Sequence, residues 1–142
     1  MPKRRIILIS LLALWAIAGL AVVFLPIGGE IEDLLWWLTV AGLRVGVPGS
    51  NFYGYDFALN MVLFAVPTVL VAAAWPSVRR WIWLIAAFVL SFTIETVQDL
   101  ALPRTASLMD LAANSLGALL GLCGLWVVER LNARRTARRA EA

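Results

Sequence analysis

The chain has 142 residues, is 62% hydrophobic and carries a net charge of +3. Its mean hydropathy is +0.87, whereas a soluble domain averages about 45–50% apolar, so the composition excludes an ordinary soluble domain and points to one integral membrane bundle. There is no histidine and only one cysteine, Cys123; this removes imidazole chemistry and any intrachain disulfide, and no metal or cofactor is expected.

Residues 6–25 are an uncharged run preceded by Lys3, Arg4 and Arg5. A crossing helix needs about 20 such residues. The run exceeds the apolar core of a signal peptide, about 7–15 residues, and no clear small-x-small cleavage site follows, so it reads as a retained first span. Pro26, Gly28 and Gly29 end it. Within residues 31–44, the uncharged stretch 34–43 contains Trp36 and Trp37 but is too short to cross; an interfacial or re-entrant helix in the first outer loop is expected. Gly46, Pro48, Gly49 and Gly54 predict a loop over 45–55.

The second span is expected over 57–75, interrupted by Pro67, and a tight turn with Pro76, Arg79 and Arg80 leads to a third over about 81–100. Trp75, Trp81 and Trp83 stand where aromatic belts form. The connection 101–106 holds Pro103 and Arg104, and the fourth span follows over 108–128. Ser107 is placed to cap it, with Asp110 in its acidic first turn. The fold class is thus all-α, a polytopic membrane bundle of four transmembrane helices plus one short helix. A single domain is expected over 1–130, followed by a basic tail over 131–142.

Charge follows the same spacing. Ten of the twelve basic residues lie at the N-terminus, in the Arg79–Arg80 turn or from Arg130 onward, while most acids fall in the intervening segments. A nucleic-acid partner is not expected; the alternation fits the positive-inside rule, with both termini cytoplasmic and Arg134 to Arg139 lying on anionic lipid.

The polar residues inside the spans carry the functional reading. Ser91, Glu95 and Gln98 share one face of the third span, with Asp99 close to it, while Asp56 and Asn60, and likewise Asp110 and Asn114, stand four apart at the outer ends of the second and fourth. Glu95, fourteen residues beyond Trp81, lies about 21 Å along its helix, in the outer third. An ionisable group at a bilayer centre costs roughly 2.5–3.5 kcal/mol on insertion scales, less near the interface, so each needs an offsetting partner. Asp110 has two readings, a helix cap paired with Arg104 or a ligand contact. Capping does not account for Glu95 within a span, which leaves a functional site or a structural polar network. Arg104 can pair with the acids or hold a phosphate or carboxylate. Gly117, Gly121 and Gly124 continue the Asp110 stripe and read as a packing seam, permissive for a homodimer. Cys123 and the methionines read as apolar core.

The order Glu95-Thr96-Val97-Gln98, then Pro103-Arg104, then Asp110, Asn114, Gly117 and Gly121 resembles the VanZ-like family of bacterial membrane proteins. Upstream, the stretch from Asp56 and Asn60 to Phe64 and Pro67 resembles that family's Asn-then-Phe-x-x-Pro segment. The resemblance covers residues 55–122. It departs at Thr68 and Val69, where members often carry glycine, and in lacking the histidine some carry near the second span. The resemblance implies a protein of the bacterial cytoplasmic membrane linked to reduced susceptibility to glycopeptides, teicoplanin in particular.

The expected function is binding of a cell-wall precursor or a polyprenyl-linked headgroup such as polyprenyl phosphate. Arg104 would hold the anion, with Asp56, Asn60, Glu95, Gln98, Asp110 and Asn114 around it, and membrane lipids as further partners. Two alternatives stand beside it. One is an intramembrane enzyme on a lipid-linked substrate, with Glu95 or Asp110 as acid or base; the other is a structural membrane subunit without ligand.

Overall fold

Hydrocarbon offers no partner for a backbone N–H or C=O, so apolar runs of this length satisfy themselves as helices. The computed structural model describes residues 3–24, 28–101 and 107–140, and these form five α-helices. They are α1 (Lys3–Phe24), α2 (Gly28–Arg44), α3 (Phe52–Ala74), α4 (Arg80–Ala101) and α5 (Leu108–Ala140). α1, α3, α4 and α5 are long and apolar enough to cross a membrane. The protein is a polytopic helical membrane bundle.

Three boundaries differ from expectation. Gly28 and Gly29 open α2 rather than ending the first span; Pro26 lies outside the described residues. α3 begins at Phe52, because Asn51 caps it by accepting from Gly54 N–H at 2.8 Å; the loop predicted over 45–55 is therefore cut short, and Tyr53, Gly54 and Tyr55 are helical. The cap's strength outweighs the turn propensity of one glycine. α5 runs on through the arginine-rich tail to Ala140, 33 residues in all, or about 50 Å at 1.5 Å per residue.

α3 and α5 meet backbone to backbone. A β-carbon at Gly117 would collide with the Met61 carbonyl, and one at Gly121 would lie 2.8 Å from the Ala65 carbonyl oxygen. Fully buried Ala113 and Ala118 extend the small-residue surface of α5, and Phe64 and Ala87 close the core around Ala118. Small residues permit this approach, and dispersion and packing then hold the pair. The seam stops there: a β-carbon at Gly124 would meet nothing within 4 Å. Cys123 is exposed on the bundle surface, not core as its apolar neighbours led one to expect. Met109 is likewise exposed, at 68%. In a membrane bundle the lipid-facing side is as apolar as the interior, so hydrophobicity does not separate the two.

Pro67 lacks an N–H and leaves the Leu63 carbonyl without its helical donor. The indole N–H of Trp15 on α1 donates to that carbonyl at 3.0 Å. Gly19, one turn on, passes close to the Leu63 side chain. Threonine hydroxyls inside the spans are settled locally: Thr68 donates to the Phe64 carbonyl and Thr93 to the Val89 carbonyl, four residues back in each case.

The basic clusters gather at one end. The Arg5 guanidinium lies 5.1 Å from the centroid of a Trp75 ring, Trp75 packs on Trp83, and Arg80 pairs with Glu129. Further along α5, Arg130 stacks over Trp126.

Candidate functional site

At the opposite end, the first turns of α3, the last turns of α4 and the first turns of α5 surround a cavity of about 300 Å³. Helical spacing puts Asp56 and Asn60 on one side of α3, Glu95 and Gln98 on one side of α4, and Asp110 and Asn114 on one side of α5; all six line the cavity. Glu95, Gln98 and Asn114 are buried, at 7%, 6% and 4% exposure, while Asp56, Asn60 and Asp110 are half-buried. The rest of the wall is apolar and comes from α1, α2, α3 and α4, including Trp15, Ile31, Leu34, Leu63, Phe64 and Ile94.

The start of α5 explains where two of the carboxylates sit. Ser107 caps the helix, its hydroxyl accepting from Asp110 N–H at 3.3 Å and its carbonyl from Leu111 N–H at 3.1 Å. In a capping box the acidic residue at the position of Asp110 would turn back to the N–H of Ser107. Here Glu95 of α4 does so instead: its Oε2 accepts that N–H at 2.7 Å. A carboxylate at a helix N-terminus also meets the positive end of the dipole. The expectation that capping does not account for Glu95 is thus corrected, because Glu95 caps a neighbouring helix rather than its own. Asp110, relieved of that role, accepts from Asn60 Nδ2 at 3.0 Å and ties α5 to α3.

Deeper in, Asn114 donates through Nδ2 to the hydroxyl of Ser91 at 2.8 Å, joining α5 to α4. Ser91 is fully buried. The side-chain carbonyl oxygen of Asn114 is buried and has no hydrogen-bond partner. A buried acceptor left so costs about 1–3 kcal/mol.

Of the residues singled out in the sequence, the fold brings Asp56, Asn60, Glu95, Gln98, Asp110 and Asn114 together. Asp99, near the same face of α4, is exposed. Arg104 and Pro103 lie outside the described residues. Gly117 and Gly121 lie along the α3–α5 seam, and Gly124 beyond it. Trp15 was missed as a wall of the cavity and as the donor to Leu63. Its signal is present: a tryptophan in the middle of a span, away from either aromatic belt, needs a partner for its N–H. No group of three or more His, Cys, Asp or Glu among the described residues is arranged to hold a metal ion.

No curated protein matches the chain, and no solved structure does. The family model described as VanZ/LLP1 matches residues 8–129, from the first helix to well into the last. With that span covered, the chain belongs to the VanZ/LLP1 family.

Proposed function

We propose that the protein is a cell-envelope protein of the bacterial cytoplasmic membrane whose polar chamber binds the headgroup of a cell-wall precursor or polyprenyl-linked lipid at the outer leaflet. The observation that carries this reading is the mixed lining. Acids and amides from three helices share one cavity with apolar side chains contributed by four. Small-ligand sites have this make-up, mostly apolar with a few convergent polar groups. Orientation is supported by charge: the basic clusters lie at the end away from the chamber, which the positive-inside rule assigns to the cytoplasm together with both termini.

Such binding masks or redistributes the glycopeptide target at the outer leaflet, which connects the chamber with the reduced teicoplanin susceptibility associated with the family. Glu95→Gln and Arg104→Ala, assayed for teicoplanin susceptibility in whole cells at normal protein levels, are expected to lose the effect. Full effect in both variants refutes the chamber as the site.

One observation favours a structural reading. Three hydrogen bonds engage four of the six polar residues within the bundle, Asn60 with Asp110, Asn114 with Ser91 and Glu95 with Ser107. On that reading every chamber substitution lowers abundance and effect in proportion, whereas the binding reading separates the two.

A further inference from the structure

We infer that the chamber selects lipids by an N–H or O–H donor on the headgroup, received by the side-chain carbonyl of Asn114. The inference rests on the lipid-binding reading above and names the group that is recognised. Asn114 lines the chamber and is 4% exposed, and Ser91 holds the Nδ2 edge of its amide while Oδ1 has no partner. More than nine in ten buried polar groups in native proteins are hydrogen-bonded, so an orphaned amide oxygen in a cavity wall marks a missing donor. Oδ1 is itself closed off, so receiving a donor requires the amide to turn about its broad terminal torsion and release Nδ2 from Ser91.

The opening shows what carries the donor. Val22, Leu34, Leu59 and Val62 line the cavity and are 37%, 46%, 40% and 48% exposed, so its apolar side is open rather than sealed. An open apolar side of this kind suits an acyl chain. An amphiphile enters with its head towards Asn114 and its chain leaving past α1, α2 and α3. At about 30 Å³ per water-sized group, a cavity of about 300 Å³ holds a headgroup of roughly ten such groups.

The test uses the full chain in mild detergent and native mass spectrometry with lipids of identical acyl chains. Phosphatidylethanolamine offers N–H donors, phosphatidylglycerol offers hydroxyls, and phosphatidylcholine keeps the positive nitrogen but has no donor. A site built around a hydrogen bond rejects the analogue that lacks it. The first two lipids are expected to bind at least tenfold more tightly than phosphatidylcholine, and free phosphoethanolamine to compete poorly because it has no chain. Asn114→Leu is expected to bring phosphatidylethanolamine and phosphatidylglycerol down to the phosphatidylcholine level without weakening phosphatidylcholine itself. Should that variant not fold, Asn114→Ala takes its place with the same expected outcome, because the carboxylates of the chamber also accept donors and only a change at residue 114 singles out its carbonyl. Equal binding of all three lipids by the wild type overturns donor recognition while leaving lipid binding intact. Binding of none, together with full teicoplanin effect in Glu95→Gln and Arg104→Ala, overturns both. Free phosphoethanolamine competing as well as the lipid overturns the lateral entry of a chain.

Discussion

The two faces of α3 pack by opposite rules. Towards α5, the backbone at Met61 and Ala65 lies directly against Gly117 and Gly121, with the Val69 side chain beside Gly121. Towards α1 and α2, the same helix leaves a cavity bordered by Leu59, Val62 and Leu63 and lined from α1 by Trp15 and Val22. One face is a rigid seam and the other a site with room in it. The difference separates close backbone packing from open space within one small bundle: backbone contact fixes α3 against α5, and the polar groups then stand at a defined depth across the gap.

Substitutions along α5 should break the seam in graded fashion. Gly117→Val is expected to have the largest effect, because the added carbon meets backbone, which does not yield as a side chain would. A loss of about 3 kcal/mol or more follows from overpacking of this kind, read as collapse of the folded fraction in a detergent denaturation series. Gly121→Ala, with 2.8 Å to the Ala65 oxygen, should cost about 1–2 kcal/mol in the same assay.

The cavity face is sharpened by a pair of changes. Trp15→Phe removes the donor to the Leu63 carbonyl and is expected to cost about 1–3 kcal/mol, the usual penalty for an orphaned acceptor. Pro67→Ala restores an N–H four residues beyond Leu63, so in that background Trp15→Phe should cost clearly less. Additive losses across the cycle would show that the indole acts by bulk alone.

Smaller effects mark the edges of both regions. A double-mutant cycle on Asn60→Leu and Asp110→Leu should give a coupling of about 0.5–1.5 kcal/mol, the range of interhelical hydrogen bonds within membranes. Gly124→Ala should change stability by no more than about 0.5 kcal/mol, as expected for a surface position, because nothing lies within 4 Å of the added carbon. A loss comparable with that of Gly121→Ala would mean that the seam extends through a second copy of the chain.

Much of this was legible in the sequence, for identifiable reasons. Uncharged runs of crossing length mark the spans whatever their packing, and spacings of three and four put Ser91, Glu95 and Gln98 on one buried side of α4. The convergence of Asn60, Asp110 and Asn114 followed from matching their depths along separate helices. What escaped depends on contacts between helices. Nothing local to Glu95 says that it caps α5, since its partner, the Ser107 N–H, belongs to another element. Trp15 and Pro67 form a pair only once α1 lies against α3. Cys123 and Gly124 look like their buried neighbours because lipid and protein interior select the same residues.

The central claim concerns where the polar chamber opens, and single cysteines test it most directly. In a Cys123→Ser background, Asn60→Cys and Asp110→Cys should each react with a membrane-impermeant maleimide added outside intact cells, and a short bifunctional maleimide should link the two when both are present. Labelling only after the cytoplasmic side is exposed, or efficient labelling of both sites without any linkage between them, would contradict an outward chamber shared by these helices.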